Sequence, residues 1–386
     1  MHTHGAPGAL DFAQRPLLVF WETTRACALA CRHCRASALH DPLPGELTTA
    51  EGEALIDEVA RFGTPPPVVV FTGGDCLERR DLDHLVARAA GHGLRLALAP
   101  SVTPALTPDR LAPLRALGAR AVSISLDGAR PDTHDAIRGV PGHFARTVEA
   151  LRLLASEGFA VQVNTTVMRR NVGELADVAA LLRDTGVHIW EVFFLIAVGR
   201  GIDCDELSPQ QHEDVCHWLV DAARRGLVVR TVEAPFYRRV ALQRADIGTG
   251  DVRQTFRLGP LYDQLAVRLD ALLGGPTRAP AAPTMGTRDG HGIVFIAHNG
   301  DVYPSGFLPV PLGNVRTTPL VDLYRDHPLL HAIRRAEFSG RCGDCRFAQL
   351  CGGSRARAYA RTGNPLASDP ACPYPVVTRT PVGTAQ

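Results

Sequence analysis

Six short apolar runs, each followed by an amphipathic stretch, fill the chain from residue 17 to about 225, and this alternation restricts the fold more than any other feature. The predicted strands are 17–22, 67–72, 94–99, 119–126, 160–167 and 189–196, with helical periodicity over 48–62, 79–91, 107–117, 143–158, 173–184 and 208–224. Val68-Val69-Val70-Phe71 is apolar without alternation, as strands of a parallel sheet covered on both faces are. Thr48 with Glu51 three residues on forms a capping box, and Thr107-Pro108 supplies a cap followed by a first-turn proline. Strand–helix repetition of this kind predicts an α/β fold, a partial (β/α)6 barrel, with its chemistry at the C-terminal strand ends.

That rim carries the polar residues. Cys27-Ala-Leu-Ala-Cys31-Arg-His-Cys34 follows the first predicted strand, Gly73-Gly74-Asp75 the second, and Ser125-Leu126-Asp127-Gly128 the fourth, while Asn164 lies near the end of the fifth. Thiolates are the usual ligands of iron–sulfur clusters, and a four-iron cubane takes four of them. Three cysteines spaced x3 and x2 leave one iron without a protein ligand, free to bind a substrate or cofactor. A zinc knuckle is the competing reading, but structural zinc sites supply four ligands from paired Cys or His spacings. The glycine pair has its own plain alternative, a strand-end turn.

Composition removes several classes of function. The chain has no lysine, so Schiff-base chemistry and P-loop phosphoryl transfer are excluded, and any carboxylate must meet arginine, histidine or backbone N–H groups. With 41 basic and 40 acidic residues the net charge is +1, which gives no footprint for nucleic acid or an anionic membrane. No apolar run approaches the roughly 18 residues of a membrane span, and residues 1–15 do not read as a signal peptide. A cytoplasmic protein is expected. The ten cysteines cluster at short spacings, which favours metal ligation over disulfides.

The expected organisation is an N-terminal arm (1–16), the barrel (17–225), a bridging, substrate-facing segment (226–290) and a small, loop-rich, cysteine-rich domain (291–386). Within the last, Asn299-Gly300 between apolar runs signals a hairpin. His291, His298 and Asp301 lie near this junction, where surface or turn roles suit each.

Cys27-x3-Cys31-x2-Cys34 together with Gly73-Gly74-Asp75 resembles the signature of the radical S-adenosylmethionine superfamily, and Cys342-x2-Cys345-x5-Cys351-x20-Cys372 is similar to the auxiliary cluster of its SPASM branch. The resemblance implies a [4Fe-4S] cluster on Cys27, Cys31 and Cys34 whose open iron binds S-adenosylmethionine. Reduction then yields a 5′-deoxyadenosyl radical that takes a substrate hydrogen. It implies that Gly73, Gly74 and Asp75 bind the cofactor's amino group, with His33, Ser125, Asp127, Arg138 and Asn164 as further cofactor contacts. It also implies a flavodoxin or ferredoxin as reductant. Two positions depart from the usual pattern: Cys76 stands where proline follows the glycines, read here as a buried inert thiol, and His33 replaces a larger aromatic. The four C-terminal cysteines are a complete set, so one closed auxiliary [4Fe-4S] cluster is expected, with a zinc ribbon as the alternative. Members with two auxiliary clusters carry extra cysteines, and here Ser305 and Arg355 occupy such positions. Cys204 and Cys216 are read as structural.

Two substrates compete. The layout around Trp21–Cys27 and Glu233–Arg239 resembles the haem-biosynthesis members, which oxidatively modify tetrapyrrole side chains. Tyr237, Arg238 and Arg239 would suit a flat, carboxylate-rich ligand, although an arginine pair is also common on a solvated face. A maturase of ribosomally made peptides is the second enzyme reading. A non-catalytic Fe–S electron carrier or redox sensor is a third, which gives no use for the glycine-rich strand end.

Overall fold

A computed structural model describes residues 11–203, 206–247, 250–277 and 286–375. Cys204, the first ten residues of the expected arm, most of the proline-rich stretch at 273–283 and the end of the C-terminal segment lie outside the described residues.

All six predicted strands form within two residues of their expected ends, and four more join them. They are β1 (Leu18–Glu22), β2 (Val68–Thr72), β3 (Arg95–Leu98), β4 (Ala119–Ser125), β5 (Ala160–Val167), β6 (Ile189–Phe194), β7 (Val228–Val232), β8 (Ile293–Ile296), β9 (Asp301–Tyr303) and β10 (Gly313–Asn314). The sheet order is β10-β9-β8-β1-β2-β3-β4-β5-β6-β7. Strands β1 to β7 run parallel in sequence order, which puts every crossover helix on one face. The other face becomes the barrel lumen.

Burial alternates accordingly. Along β5, Val161, Val163 and Val167 are buried beneath the helices, while Gln162, Asn164 and Thr166 face the lumen half-buried. Trp190 of β6 packs edge-on against Trp218 of the helix Pro209–Ala223, with ring centroids 6.1 Å apart, and donates its indole N–H to Thr165 Oγ1 at 2.9 Å. The capping box at Thr48 and Glu51 forms, as does a second at Ser208 and Gln211. No helix among the described residues is long and apolar enough to cross a membrane.

The seventh strand and the C-terminal hairpin extend the sheet past the six expected units. β8 pairs in parallel with β1, in register from Leu18 with Ile293 to Trp21 with Ile296. β9 then returns antiparallel through the Asn299-Gly300 turn, closed by Gly300 N–H donating to Ala297 O at 2.9 Å. Residues 226–290, unreadable from periodicity, hold helices Phe236–Asp246, Val252–Phe256 and Pro260–Leu273 besides β7. One further helix, Pro131–Arg138, was not expected, and it ends on the left-handed Gly139.

Candidate active site

The segment after β1 carries Cys27, Cys31 and Cys34, and it is held from three sides. Its base closes on itself, Cys27 N–H donating to Leu39 O at 2.7 Å and Leu39 N–H to Arg25 O at 3.1 Å. From β2, Gly74 N–H donates to Thr24 O at 2.8 Å and Asp75 N–H to Ala26 O at 2.7 Å. The glycine pair is thus explained by the chain itself: a Cβ at Gly73 would lie 2.5 Å from Thr24 O, and one at Gly74 would be 2.7 Å from Arg25 O. From the loop after β6, Arg200 donates to Cys31 O at 2.9 Å and Ala38 O at 3.0 Å. Gly199, at φ +57°, leaves room there for the Cys34 and Arg35 carbonyls.

Each sulfur meets a polar neighbour. Cys27 Sγ accepts Leu29 N–H at 3.4 Å and lies 3.6 Å from Ser101 Oγ; Cys34 Sγ accepts Ala38 N–H at 3.4 Å; Cys31 Sγ accepts Arg138 Nη1 at 3.6 Å. Donors aimed at sulfur stabilise a thiolate and tune a bound cluster. Without a cluster, burial pushes the Cys27 thiol up.

Asp75 needs a correction. Its carboxylate is fully buried and accepts from Thr103 Oγ1 (2.7 Å), Leu77 N–H (3.1 Å) and Ser101 N–H (3.3 Å). It therefore ties β2 to the Ser101–Thr103 segment after β3 and is not presented to an incoming ammonium. Cys76 is buried as expected, and burial raises its thiol.

Asp127, Arg138 and His33 do come together. Asp127 Oδ2 sits 2.6 Å from Arg138 Nη2 and 3.3 Å from His33 Nε2, while Oδ1 accepts Thr166 N–H at 2.8 Å. Burial would raise this carboxyl, but Arg138 and His33 outweigh it and hold it low. Burial drives His33 down to about 4, so its ring is neutral near pH 7. Arg138 Nε, His33 Nδ1 and Arg200 Nη2 are all buried beside this loop without a partner. Buried polar atoms are rarely left so in a native protein, and three together suit a polar, charged group bound against the cysteines.

A chain of histidines runs from Asp127 back to the Ser101 segment. Asp127 N–H donates to His134 Nδ1 at 3.1 Å, His134 Nε2 lies 2.8 Å from His143 Nδ1, and His143 Nε2 lies 3.0 Å from Val102 O. The N–H at one end and the carbonyl at the other fix both tautomers as neutral, with the proton on Nε2. Burial above all keeps the pair uncharged, at about 3 for His134 and about 4 for His143.

Ser125 and Asn164 face the lumen in register, and the row continues through Glu191 and Arg230. Gln162 Nε2 bridges Asn164 Oδ1 and Glu191 Oε2, each at 2.8 Å, and burial raises the Glu191 carboxyl. Sequence reading missed Gln162, Glu191 and Arg230, although polar residues at lumen parity in these strands were a usable signal. It also missed Ser101 and Arg200, which only the fold brings to the cysteines, and His134 and His143, which it brings to Asp127.

A second thiol set lies in the C-terminal segment. Cys342, Cys345, Cys351 and Cys372 line one cavity with Arg239 and Tyr374. Backbone N–H groups donate to three of them at 3.4 Å: Asp369 to Cys342, Phe347 to Cys345 and Gly353 to Cys351. Among the described residues no three Cys, His, Asp or Glu side chains gather closely enough to hold a single metal ion. Arg355 is buried over Phe338, 4.3 Å from the ring centroid, with Nη2 3.8 Å from Cys342 Sγ. Ser305 is buried and its hydroxyl accepts Phe307 N–H at 3.2 Å. Cys216 is buried too, and burial raises its thiol.

The expectation that Tyr237, Arg238 and Arg239 face substrate is also corrected. All three are buried on helix Phe236–Asp246. Arg239 makes a two-pronged pair with Glu213, at 2.8 and 2.6 Å, and lies over Tyr374. Arg238 donates to Leu350 O at 3.3 Å and to Thr287 O, bracing the segment before Cys351. Burial would raise Glu213, but His217 and Arg239 overcome it and hold the carboxyl at about 2.

Acid unfolding should accordingly run in two stages. His134 and His143 are neutral when folded but take protons near 6.5 when unfolded, so their contribution is present above that pH and falls as pH drops toward 4. Glu213 contributes above its ordinary 4.5, a contribution lost as pH falls toward 2. Denaturant midpoints measured across pH should show both slopes, the upper one shallower in His143→Asn; a flat profile between pH 7 and 5 would contradict the neutral pair.

Residues 21–182 match the model of the Radical SAM superfamily. The chain is 36% identical to AdoMet-dependent heme synthase of Nitratidesulfovibrio vulgaris, over 98% of both chains. It is 33% identical to Mycofactocin maturase MftC of Mycobacterium ulcerans, over 92% of this chain and 88% of the relative. Its fold is similar to that of native anSMEcpe with bound AdoMet, at a TM-score of 0.64 and 17% identity, over 92% of this chain and 93% of that one. The chain belongs to the radical SAM superfamily. Membership makes it an enzyme with a [4Fe-4S] cluster and S-adenosylmethionine as cofactors, and haem synthases and SPASM-type maturases are among its relatives.

Proposed function

We propose that this enzyme oxidatively modifies the carboxylate side chains of a tetrapyrrole, by loss of carbon dioxide from a propionate or a closely similar change. The similarity to a heme synthase along essentially the whole chain carries this reading. In it, Cys27, Cys31 and Cys34 hold the cluster. The bound cofactors supply a 5′-deoxyadenosyl radical that removes a substrate hydrogen.

The chain's own work is placement and exclusion of water. Arg138 and Arg200 meet the methionyl carboxylate, and His33 Nδ1 is an acceptor for its ammonium. Asp127 keeps Arg138 charged and aimed. Gly73 and Gly74 offer backbone at close range, and Ser125 and Asn164 supply polar groups along the lumen. Cys342, Cys345, Cys351 and Cys372 hold one auxiliary [4Fe-4S] cluster, which supplies an acceptor for the electron released when carbon dioxide leaves. A flavodoxin- or ferredoxin-type protein serves as reductant.

Oxygen-free protein with S-adenosylmethionine, dithionite and iron coproporphyrin III is expected to form 5′-deoxyadenosine and a porphyrin lighter by carbon dioxide and two hydrogens. No 5′-deoxyadenosine and no change in the porphyrin would sink the reading. Cys372→Ala is expected to halve iron content roughly, as one of two four-iron clusters is lost. It should still cleave S-adenosylmethionine while forming little product; unchanged iron would exclude the auxiliary cluster. A peptide substrate is the second reading, favoured by the likeness to a mycofactocin maturase.

A further inference from the structure

The lumen mouth between the cysteine segment and the C-terminal hairpin carries a charged and aromatic group that none of the roles above uses. Arg35 directly follows Cys34, and its side chain remains 22% exposed. Its guanidinium lies 4.5 Å from the centroid of the Phe295 ring and 6.0 Å from that of Phe307. Phe307 in turn stands 6.0 Å from Phe193, the lumen-facing residue near the end of β6. Gly306 makes the seat possible, since a Cβ there would be 3.2 Å from Arg35 Nε and 3.1 Å from the Phe295 ring.

The charge balance at this mouth is specific. Arg35 Nη2 lies 3.2 Å from Glu22 Oε1, and Glu22 Oε2 lies 3.0 Å from His298 Nδ1. Burial raises the Glu22 carboxyl, but its bond from His298 and the charge of Arg35 prevail and hold it low. Glu22 occupies one Nη of Arg35 and has its other oxygen engaged by His298, leaving the rest of the guanidinium fork for a second anion. The flat aromatic faces beside it suit a planar ligand.

We propose that Arg35 binds a carboxylate of the substrate while Phe307 and Phe193 pack against its ring system, which makes this mouth the substrate subsite beside the open-iron cluster. The proposal rests on the tetrapyrrole reading and replaces Arg238 and Arg239 with a different arginine as the carboxylate's partner. Glu22 is a positioning residue here: its pairing with one Nη at 3.2 Å fixes the orientation of the guanidinium over the Phe295 ring.

Binding can be read without turnover, by anaerobic titration of the reconstituted holoenzyme with iron coproporphyrin III and, separately, with its tetramethyl ester, following the Soret band. The wild type is expected to prefer the acid by about tenfold or more, as a charge-assisted pair is worth roughly twice a neutral one. Arg35→Gln should bind the acid weakly and lose most of that preference, and Arg35→Lys should restore part of it. Phe307→Ala should weaken acid and ester alike while keeping their ratio. An acid-to-ester ratio in Arg35→Gln equal to the wild type's overturns the assignment of Arg35 and leaves the tetrapyrrole reading standing. A wild type that binds neither porphyrin overturns both.

Discussion

Gly74→Ala is expected to empty the N-terminal cluster while leaving the proposed C-terminal one in place. The new Cβ would meet the Ala26 and Arg25 carbonyl oxygens, the latter at 2.7 Å, and both are backbone atoms with no rotamer to swing aside. The cysteine segment must retreat, giving up the bonds from Gly74 N–H to Thr24 O and from Asp75 N–H to Ala26 O. Displacement of about 1 Å at a reacting centre costs on the order of 10²-fold in rate, and cluster loss costs more. Anaerobically reconstituted variant should contain about four irons per chain, against about eight with both clusters in place. It should form no measurable 5′-deoxyadenosine. Wild-type iron and wild-type cleavage would show that the segment tolerates the shift.

Asp127→Asn should carry the second largest effect, and by a different route. Asparagine keeps an acceptor for Thr166 N–H but removes the only carboxylate paired with Arg138 among the described residues. Breaking one half of a buried ion pair costs about 3–5 kcal/mol, because the remaining charge stays buried without compensation. The urea midpoint should fall accordingly, and affinity for S-adenosylmethionine should fall with it as Arg138 turns from its place. Arg138→Met added to Asp127→Asn is expected to recover stability but not binding, since replacing both partners relieves the stranded charge. Loss of stability without loss of cofactor affinity would assign the pair a purely structural role.

The strands and the first cysteine set were legible because each is written locally. Val68–Phe71 has no polar residue to place it anywhere but between two layers, and x3 and x2 spacings put thiols close without help from the fold. The glycine pair was legible as a site but not in its reason: nothing in Gly73-Gly74 reveals that the neighbours pressing on it are Thr24 to Ala26, some fifty residues earlier. Asp75 looked available because its partners Ser101 and Thr103 arrive from another strand end. Arg238 and Arg239 misled for the same reason. An arginine pair reads as exposed by default, and only the fold brings Glu213 to Arg239 and the Leu350 and Thr287 carbonyls to Arg238. The helix Pro131–Arg138 escaped notice because its eight residues are too few for periodicity to speak, yet it delivers His134 and Arg138.

The parallel pairing of β8 with β1 ties the order of synthesis to the order of assembly. The strand leading into the first cysteines is made long before the backbone that covers its outer edge, which lies 275 residues later (Leu18 to Ile293). Until Ile293–Ile296 arrives, that edge offers open N–H and C=O groups to any other nascent chain. Closure of that edge therefore waits on a strand from the C-terminal hairpin, and a chain cut just before the hairpin would keep the edge unpaired and adhesive.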